Sequence, residues 1–276
     1  MPSADVARAT YALPRLRAHL ASLRDLSRPM PQGVRFAPDD HFAFMALFFH
    51  AKQLEHTAAV LALDEAAGHP DATLVARSML EGMWQLQWAD QDREPRAHRW
   101  RAFSTVYDWR TLTARTAAGE AVAPDREARV LARLAPVREF FLTDAARKAA
   151  RLGRPEPADP YTATWSGRTV RQLAEATGNL LLYATVYAQF SERHHWDPAG
   201  VAAGVQQDAH RLAYDASSPP LRATALSVAF QCLHETTRIL DAALALGHAD
   251  AIAAAESAFV RLDAEVRAAV PDPPGA

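Results

Sequence analysis

Residues 40–66 read DHFAFMALFFHAKQLEHTAAVLALDEA, and this stretch decides the fold class. Its apolar side chains recur at intervals of three and four residues rather than at alternate positions, which predicts an α-helix and not a strand. Asp39 or Asp40 precedes the pattern as an N-cap, and Gly68–Pro70 follows it as a stop. The apolar positions that define the buried face are Phe42, Met45, Phe49, Leu54 and Leu61.

The same spacing continues on both sides of this helix, and Gly and Pro divide the chain into further segments. No segment alternates convincingly as a strand would, so the fold is predicted to be all-α, a single multi-helix bundle of about eight helices. One domain is expected to span 1–276, with a core at about 42–198 and C-terminal helices at 202–269 packed on it. The predicted helices cover 4–26 with Pro14 as a kink or interruption, 40–67, 71–89, 95–113, 125–150, 166–178, 180–196 and two or three more within 202–269.

Composition and charge exclude several classes of protein. The 30 Lys and Arg against 32 Asp and Glu leave no global positive field, so any nucleic-acid binding must rely on a local patch. Cys232 is the only cysteine, which predicts a small core residue in a reducing compartment. The most apolar run, 42–49, is far shorter than the roughly 20 residues that cross a bilayer. Without a secretory pattern at the N-terminus, the expected location is the cytoplasm, with no membrane contact.

The common catalytic signatures are missing from the sequence. It contains no Walker loop, no GxGxxG after a strand, no GxSxG elbow, no HExxH and no paired CxxC. The usual phosphate, dinucleotide, hydrolase and zinc chemistries therefore have no sequence signature here. Candidate functional residues must be sought among polar side chains on helices that are otherwise apolar.

Two polar sets stand out on such helices. Arg77 and Glu81 are four residues apart on one helix face, either as a surface ion pair or as a pair that points into a polar cavity. Tyr187, Ser191 and His195 follow at the same spacing and form a stripe roughly 12 Å long. Such a stripe can relay protons or bind a phosphate, and it can equally be a hydrogen-bonded seam of the core.

Three short motifs together carry a resemblance to a known family. They are Arg-Ser-x-x-Glu at 77–81, Trp-Ser-Gly at 165–167, and Tyr-x-x-x-Ser-x-x-x-His at 187–195 followed by Pro198. Their order and spacing over about 42–198 resemble a bacterial all-helical family of unknown function. That family is in turn similar to the HEPN helical domains, many of which are metal-independent ribonucleases of toxin and defence systems.

The resemblance to HEPN domains implies a histidine that handles a proton and an arginine that stabilises the phosphorane. In HEPN nucleases the arginine precedes the histidine by five to seven positions on one helix, and this chain departs from that pattern. Upstream of His195, residues 188–190 are Ala, Gln and Phe, so Arg77 on a neighbouring helix is the candidate substitute. Arg93 and His98 have the required spacing, but a proline separates them at a predicted helix start.

The segment 93–115 combines positive charge with aromatic rings. It contains six arginines and only two acidic residues, with Trp, Phe and Tyr interleaved. Arginines beside aromatic rings hold phosphates and stack bases, so Arg96, Arg99 and Arg101 are the candidate nucleic-acid-binding residues. The alternative is a solvated helix whose aromatic side chains face the core.

One Glu-x-x-His motif, Glu192 to His195, has the spacing used in di-iron helical bundles. Such bundles need further copies, and the adjacent pairs Glu55-His56 and His234-Glu235 diverge by about 100° on a helix. We therefore expect neither a metal nor a cofactor, although a carboxylate and histidine metal-dependent oxidase remains a third functional alternative.

These observations lead to two main hypotheses for function. In the first, the protein acts on RNA or a nucleotide, as a metal-independent toxin or defence ribonuclease with His195 as acid and base and Arg77 as phosphate partner. Glu81 then orients Arg77, and Tyr187 and Ser191 complete the pocket. In the second, the same residues form a buried network in a non-catalytic scaffold or small-molecule-binding protein. The expected partners are RNA or a nucleotide, a neutralising protein, and a second copy of the chain as a homodimer.

Overall fold

The computed structural model describes residues 4–66, 71–194, 205–207, 212–214 and 218–271, and most of them are helical. The chain begins with three long helices, α1 (Ala4–Ser27), α2 (His41–Glu65) and α3 (Ala72–Asp90). Their bounds agree with the sequence predictions to within about two residues, the usual uncertainty of helix ends. Pro14 lies inside α1 without interrupting it, so the predicted interruption is wrong.

Side-chain caps explain where two of the helices begin. The carboxylate of Asp40 accepts a hydrogen bond from the backbone N–H of Ala43 at 2.8 Å and caps α2, so the structure selects one of the two predicted caps. Further along the chain, Thr169 and Gln172 form a reciprocal capping box. The short helix predicted to begin at Ser166 therefore begins at Val170 instead.

The middle of the chain is divided more finely than the sequence predicts. Phe103 separates the fourth predicted helix into two. The predicted helix 125–150 is broken twice, first by a 3₁₀ turn that contains Pro136, and then at Leu142, which pairs with Tyr161 in an isolated bridge. The elements are α4 (Arg93–Ala102), α5 (Ser104–Ala117), α6 (Pro124–Leu134), the 3₁₀ turn Ala135–Val137, α7 (Arg138–Phe141), α8 (Asp144–Arg151) and α9 (Val170–Ala176).

The last part of the chain contains a correction to the predicted helices at 202–269. Two three-residue strands, β1 (Val205–Gln207) and β2 (Leu212–Tyr214), pair antiparallel where a helix was expected. The helix before them comprises α10 (Leu180–Leu182), the π-helical turn Tyr183–Tyr187 and α11 (Ala188–His194), and the helices after them are α12 (Pro219–Leu244) and α13 (Ala249–Ala269). When helical segments separated by at most one residue are counted together, the described residues form ten helices rather than about eight.

The core lies among α1, α2, α3 and α12: α12 packs against the other three helices, and α2 packs against both α1 and α3. The helix α13 covers α1 and α12, whereas α4, α9 and α11 pack on α3. This arrangement makes α3 the central helix, and its Trp84, Met79 and Leu80 are fully buried. Cys232 on α12 is also fully buried and forms no disulfide, as the sequence predicts.

A buried carboxylate holds three helices of the core together. Asp64 on α2 is 2% exposed and accepts hydrogen bonds from Arg17 on α1 and Arg222 on α12. The Arg222 Nε donates at 2.9 Å, and its Nη2 also reaches the Asp64 carbonyl oxygen at 3.3 Å. Two guanidinium groups compensate the cost of removing this carboxylate from water.

Among the residues whose placement is described, no helix combines the length and apolar character needed to cross a membrane.

Candidate functional site

The central helix α3 and the π-helical turn meet through three polar side chains, which we call the Tyr187 triad: Arg77, Glu81 and Tyr187. The Tyr187 hydroxyl donates a hydrogen bond to Glu81 Oε1 at 2.7 Å and accepts one from Arg77 Nη2 at 3.0 Å. Arg77 and Glu81 also form an ion pair at 3.4 Å. The sequence placed these residues at one site, and the described structure brings all three together.

The triad is partly accessible to solvent. The side chains of Arg77 and Glu81 are 19% and 32% exposed. Burial raises the pKa of Tyr187, as does its hydrogen bond to Glu81, while Arg77 lowers that pKa. The Tyr187 hydroxyl therefore stays protonated at neutral pH and serves as a donor. The Arg77 Nε is buried and has no hydrogen-bond partner among the described residues, so the guanidinium retains one unused donor.

Aromatic packing fixes the Tyr187 ring. It stacks on Tyr183 with 5.1 Å between ring centroids and contacts Trp84 at 5.5 Å. The Arg77 guanidinium carbon lies 5.0 Å from the centroid of the same ring, a cation–π distance. The π-helical turn places Tyr183 and Tyr187 on one face, and π-helical turns often occur at functional sites.

The stripe was also predicted to contain Ser191, which the structure describes, and His195, which it does not. The Ser191 hydroxyl donates to the Tyr187 carbonyl at 2.8 Å, which is the backbone four residues earlier. His195 and Pro198 lie outside the described residues. The expectation that Arg77 and Glu81 lie within about 12 Å of His195 stays a prediction.

Glu81 also faces a cavity of about 310 Å³ between α2 and α3, which we call the ionic cavity. Gly82 is on α3 where the helices approach closely, and a Cβ atom there would lie 3.4 Å from the Gln53 amide nitrogen. That amide donates to the Met79 carbonyl at 2.9 Å. Residues that line the cavity include Phe48, Lys52, His56, Ser78, Glu81 and Gln85.

A second cavity of about 480 Å³, the aromatic cavity, lies beside the first. Gln85 lines both, and its Oε1 accepts a hydrogen bond from Trp165 Nε1 at 2.6 Å. Trp100 contacts Phe48 and Phe44 at 5.5 and 6.0 Å between centroids. Phe44, Phe48 and Tyr107 are 38%, 47% and 58% exposed. The two cavities adjoin at Gln85, and Phe48 of the ionic cavity contacts Trp100 of the aromatic cavity. We call the two adjoining cavities beside α3 the groove.

The structure places the three predicted nucleic-acid-binding arginines in different surroundings. Arg101 lines the aromatic cavity, donates to the Pro38 carbonyl at 2.8 Å and lies over the Phe44 ring. Arg96 lies over the Trp88 ring, with 4.3 Å between its guanidinium carbon and the ring centroid. Burial lowers the pKa of Arg99, as does the nearby Arg147, and Arg99 Nε has no described partner.

The sequence analysis did not single out Lys52, His56 and Gln85 as groove residues. It treated His56 only as half of a diverging Glu-His pair, although Phe48, Lys52 and His56 are spaced by four residues and share one face of α2. That spacing is the signal that identified the Tyr187 stripe. Burial lowers the pKa of His56, as does the positive charge of Lys52, so His56 is neutral at pH 7.

Metal-ligating side chains do not converge in the part of the chain that the structure describes. No group of three or more His, Cys, Asp or Glu residues there has the geometry to hold a metal ion. Glu192 is exposed, and its partner in the Glu-x-x-His motif, His195, is outside the described ranges.

The fold and groove define a predominantly helical protein whose central helix borders two adjoining cavities, one ionic and one aromatic. Its sequence matches the profile of a family of unknown function, DUF5677, over residues 43–210, and the chain belongs to that family. The predicted relationship to a family of unknown function is thus confirmed over much the same residues, and the similarity to HEPN domains stays a prediction. Comparisons with curated proteins and with solved structures find no match.

Proposed function

We propose that the protein binds RNA or a nucleotide in the groove across α3 and cleaves the phosphodiester bond without a metal ion. The observation that carries this proposal is that Gln85 lines both cavities, so the exposed aromatic rings and the ionisable groups lie side by side. A nucleotide has the same two parts, a flat base and an anionic phosphate.

The aromatic end suits a nucleobase. Phe44 and Phe48 are partly exposed beside Trp100, although burial of large aromatic rings is normally favourable. Stacking of a base on an aromatic ring contributes about 1–3 kcal/mol and accepts any base. Arg101 at the same cavity adds a positive charge that can reach a phosphate.

The ionic end supplies groups for phosphate chemistry. Lys52 and His56 line it, and Glu81 connects it to the Tyr187 triad. In the proposed reaction the RNA 2′-hydroxyl attacks phosphorus and the bond to the 5′-oxygen breaks. His195 takes the 2′ proton and then delivers it to the leaving 5′-oxygen, and Arg77 stabilises the phosphorane charge. Glu81 and Tyr187 act as positioning residues that orient Arg77.

Cleavage is tested with labelled single-stranded RNA in the presence of EDTA. We expect a 2′,3′-cyclic phosphate and a 5′-hydroxyl as new ends. His195→Ala should reduce the rate by roughly 10²–10⁴-fold, as for loss of a general acid or base, with little change in melting temperature. His248→Ala, in the turn between α12 and α13, is the control and should cleave normally.

Binding is tested separately with a fluorescent mononucleotide. Phe48→Ala should weaken binding by about tenfold or more, because a stacking surface is removed. Phe140→Ala is the matched control, since Phe140 is similarly exposed at 42% and does not line the groove. Equal affinities for both variants would contradict the proposed binding mode.

A second function, that of a non-catalytic scaffold, is favoured by one observation. The Tyr187 hydroxyl uses both its donor and an acceptor within the protein, and Ser191 bonds to the backbone. If the wild-type protein leaves RNA intact and His195→Ala costs about 1–3 kcal/mol of stability, the stripe is a polar core seam and the nuclease proposal fails.

A further inference from the structure

A cleft of about 490 Å³ between α5 and α6 is lined by four arginines. Three of them follow one face of α6 at intervals of three and four residues, and the fourth comes from α5. The only acidic side chain that lines the cleft is Asp108, and the Thr111 hydroxyl faces it as well. The arginines are Arg115, Arg126, Arg129 and Arg133.

The ion pairs of these arginines are on the surface and easily exchanged. Arg129 pairs with Asp125 at 2.6 Å, and both side chains are 68% exposed. Arg133 pairs with Asp108 at 3.0 Å and is 61% exposed. Arg115 pairs with Glu120 through two hydrogen bonds, and these side chains are 36% and 50% exposed. Arg126 forms no ion pair with any described residue. Exposed pairs of this kind contribute little to stability, so a phosphate can replace the carboxylate at small cost.

The core does not explain the arginines of α6. Only Leu134 is buried on this helix, which packs mainly on α5 and on the 3₁₀ turn Ala135–Val137 that follows it. The three arginines of α6 therefore form a row of cations along the cleft and have no role in packing the core.

The overall charge is also unevenly distributed along the chain. Residues 93–171 carry 16 Lys and Arg against nine Asp and Glu, whereas the rest of the chain carries 14 against 23. The cleft belongs to this positive segment, which makes it a local patch on a protein whose net charge is −2. A local concentration of cations attracts a polyanion even when the whole molecule is slightly acidic.

We propose that the cleft between α5 and α6 binds the phosphodiester backbone of a single-stranded RNA whose base occupies the aromatic cavity. This inference rests on the proposed function and names its substrate as an oligonucleotide rather than a mononucleotide. Tyr107 and Thr111, one helical turn apart on α5, line the aromatic cavity and the cleft respectively. From Tyr107 to Arg115 the helix rises about 12 Å, so an extended strand along α5 reaches both sites.

The test measures the binding of a fluorescent single-stranded RNA of about 12 nucleotides by anisotropy, over a range of salt concentrations. The α6 variant changes Arg126, Arg129 and Arg133 to Gln. We expect its affinity at low salt to fall about tenfold or more, and the slope of log K against log salt to decrease by about 2, since three phosphate contacts are lost. Mononucleotide binding should not change.

Arg267→Gln provides the matched control for Arg129→Gln. Arg267 also pairs with an aspartate four residues earlier, at 3.0 Å, and the two side chains are 72% and 69% exposed. This control should bind RNA as the wild type does. The inference would be overturned if Arg129→Gln and Arg267→Gln lost RNA affinity equally, or if the α6 variant bound RNA as the wild type does. Equal affinity of the wild type for polyglutamate and for RNA would also overturn it.

The two proposals fail in different ways. If the α6 variant loses RNA affinity but Phe48→Ala binds RNA and mononucleotide normally, the cleft binds RNA and the groove function is wrong. If Phe48→Ala loses both ligands and the α6 variant loses neither, the groove function stands and the cleft inference is wrong.

Discussion

The Tyr187 hydroxyl donates to Glu81 at 2.7 Å and thereby connects the π-helical turn to the central helix α3. More than a hundred residues separate the two in sequence. Because Arg77 bonds to the same hydroxyl, loss of that oxygen leaves one acceptor and one donor without their partner.

Tyr187→Phe should lower the free energy of unfolding by about 1–2 kcal/mol, because a partly buried charge-assisted pair loses its bridging hydroxyl. Urea denaturation monitored by circular dichroism measures this. Tyr183→Phe is the control, since Tyr183 stacks on Tyr187 but its hydroxyl makes no described hydrogen bond. Equal effects in both variants would show that the hydrogen bonds of the Tyr187 hydroxyl to Glu81 and Arg77 do not stabilise the fold.

Asp64→Asn should destabilise the protein by about 3–5 kcal/mol, since two guanidinium groups lose a buried anionic partner. The exposed Asp263 pairs with Arg267 on α13, and Asp263→Asn should cost less than about 1 kcal/mol. The urea midpoints of Asp64→Asn and Asp263→Asn, each compared with the wild type, test whether the buried ion pair stabilises the protein more than the exposed one. Similar midpoints would contradict a structural role for Asp64.

His50 should make stability sensitive to acid. It is fully buried, and burial lowers its pKa to about 4 from 6.5. Below pH 6.5 the unfolded chain takes up a proton that the folded chain does not, so stability is complete above that pH and falls as the pH approaches 4. Between pH 6.5 and pH 4 the protonation of His50 should lower the free energy of unfolding by roughly 3 kcal/mol.

The measurement for His50 compares urea unfolding at pH 7 and pH 4.5 for the wild type and His50→Leu. The variant should lose less stability between the two pH values, whatever its stability at pH 7. An equal pH dependence for both proteins would show that other groups cause the acid sensitivity.

Cys232 should be unreactive in the folded protein. Burial raises the pKa of its thiol far above the usual range, and the side chain has no exposed surface. A disulfide reagent such as Ellman's reagent should label the native protein only at the rate of unfolding, and label it fully in urea. Rapid labelling without denaturant would contradict the position of α12 in the core.

The Tyr187 triad shows what spacing can predict about a site. Arg77 and Glu81 are four residues apart, so the sequence alone predicts that they share one face of a helix. Their contact with Tyr187 depends on how α3 packs against the π-helical turn, which spacing within one helix does not determine. The groove at Gln85 was missed for the same reason, since its walls come from separate helices.

The sequence by itself determined the helical class, the bounds of α1, α2 and α3 to within about two residues, a cap at Asp39 or Asp40, and the burial of Cys232. Periodicity and capping are local properties, and the backbone hydrogen bonds of a helix join residues close in sequence. Only the tertiary structure decided the breaks at Phe103 and Leu142, the π-helical turn and the pairing of β1 with β2. The break at Leu142 depends on a contact between residues distant in sequence, Leu142 with Tyr161, whose energy overrides local propensity. The pairing of β1 with β2 joins residues only five to nine positions apart, but apolar periodicity does not show it.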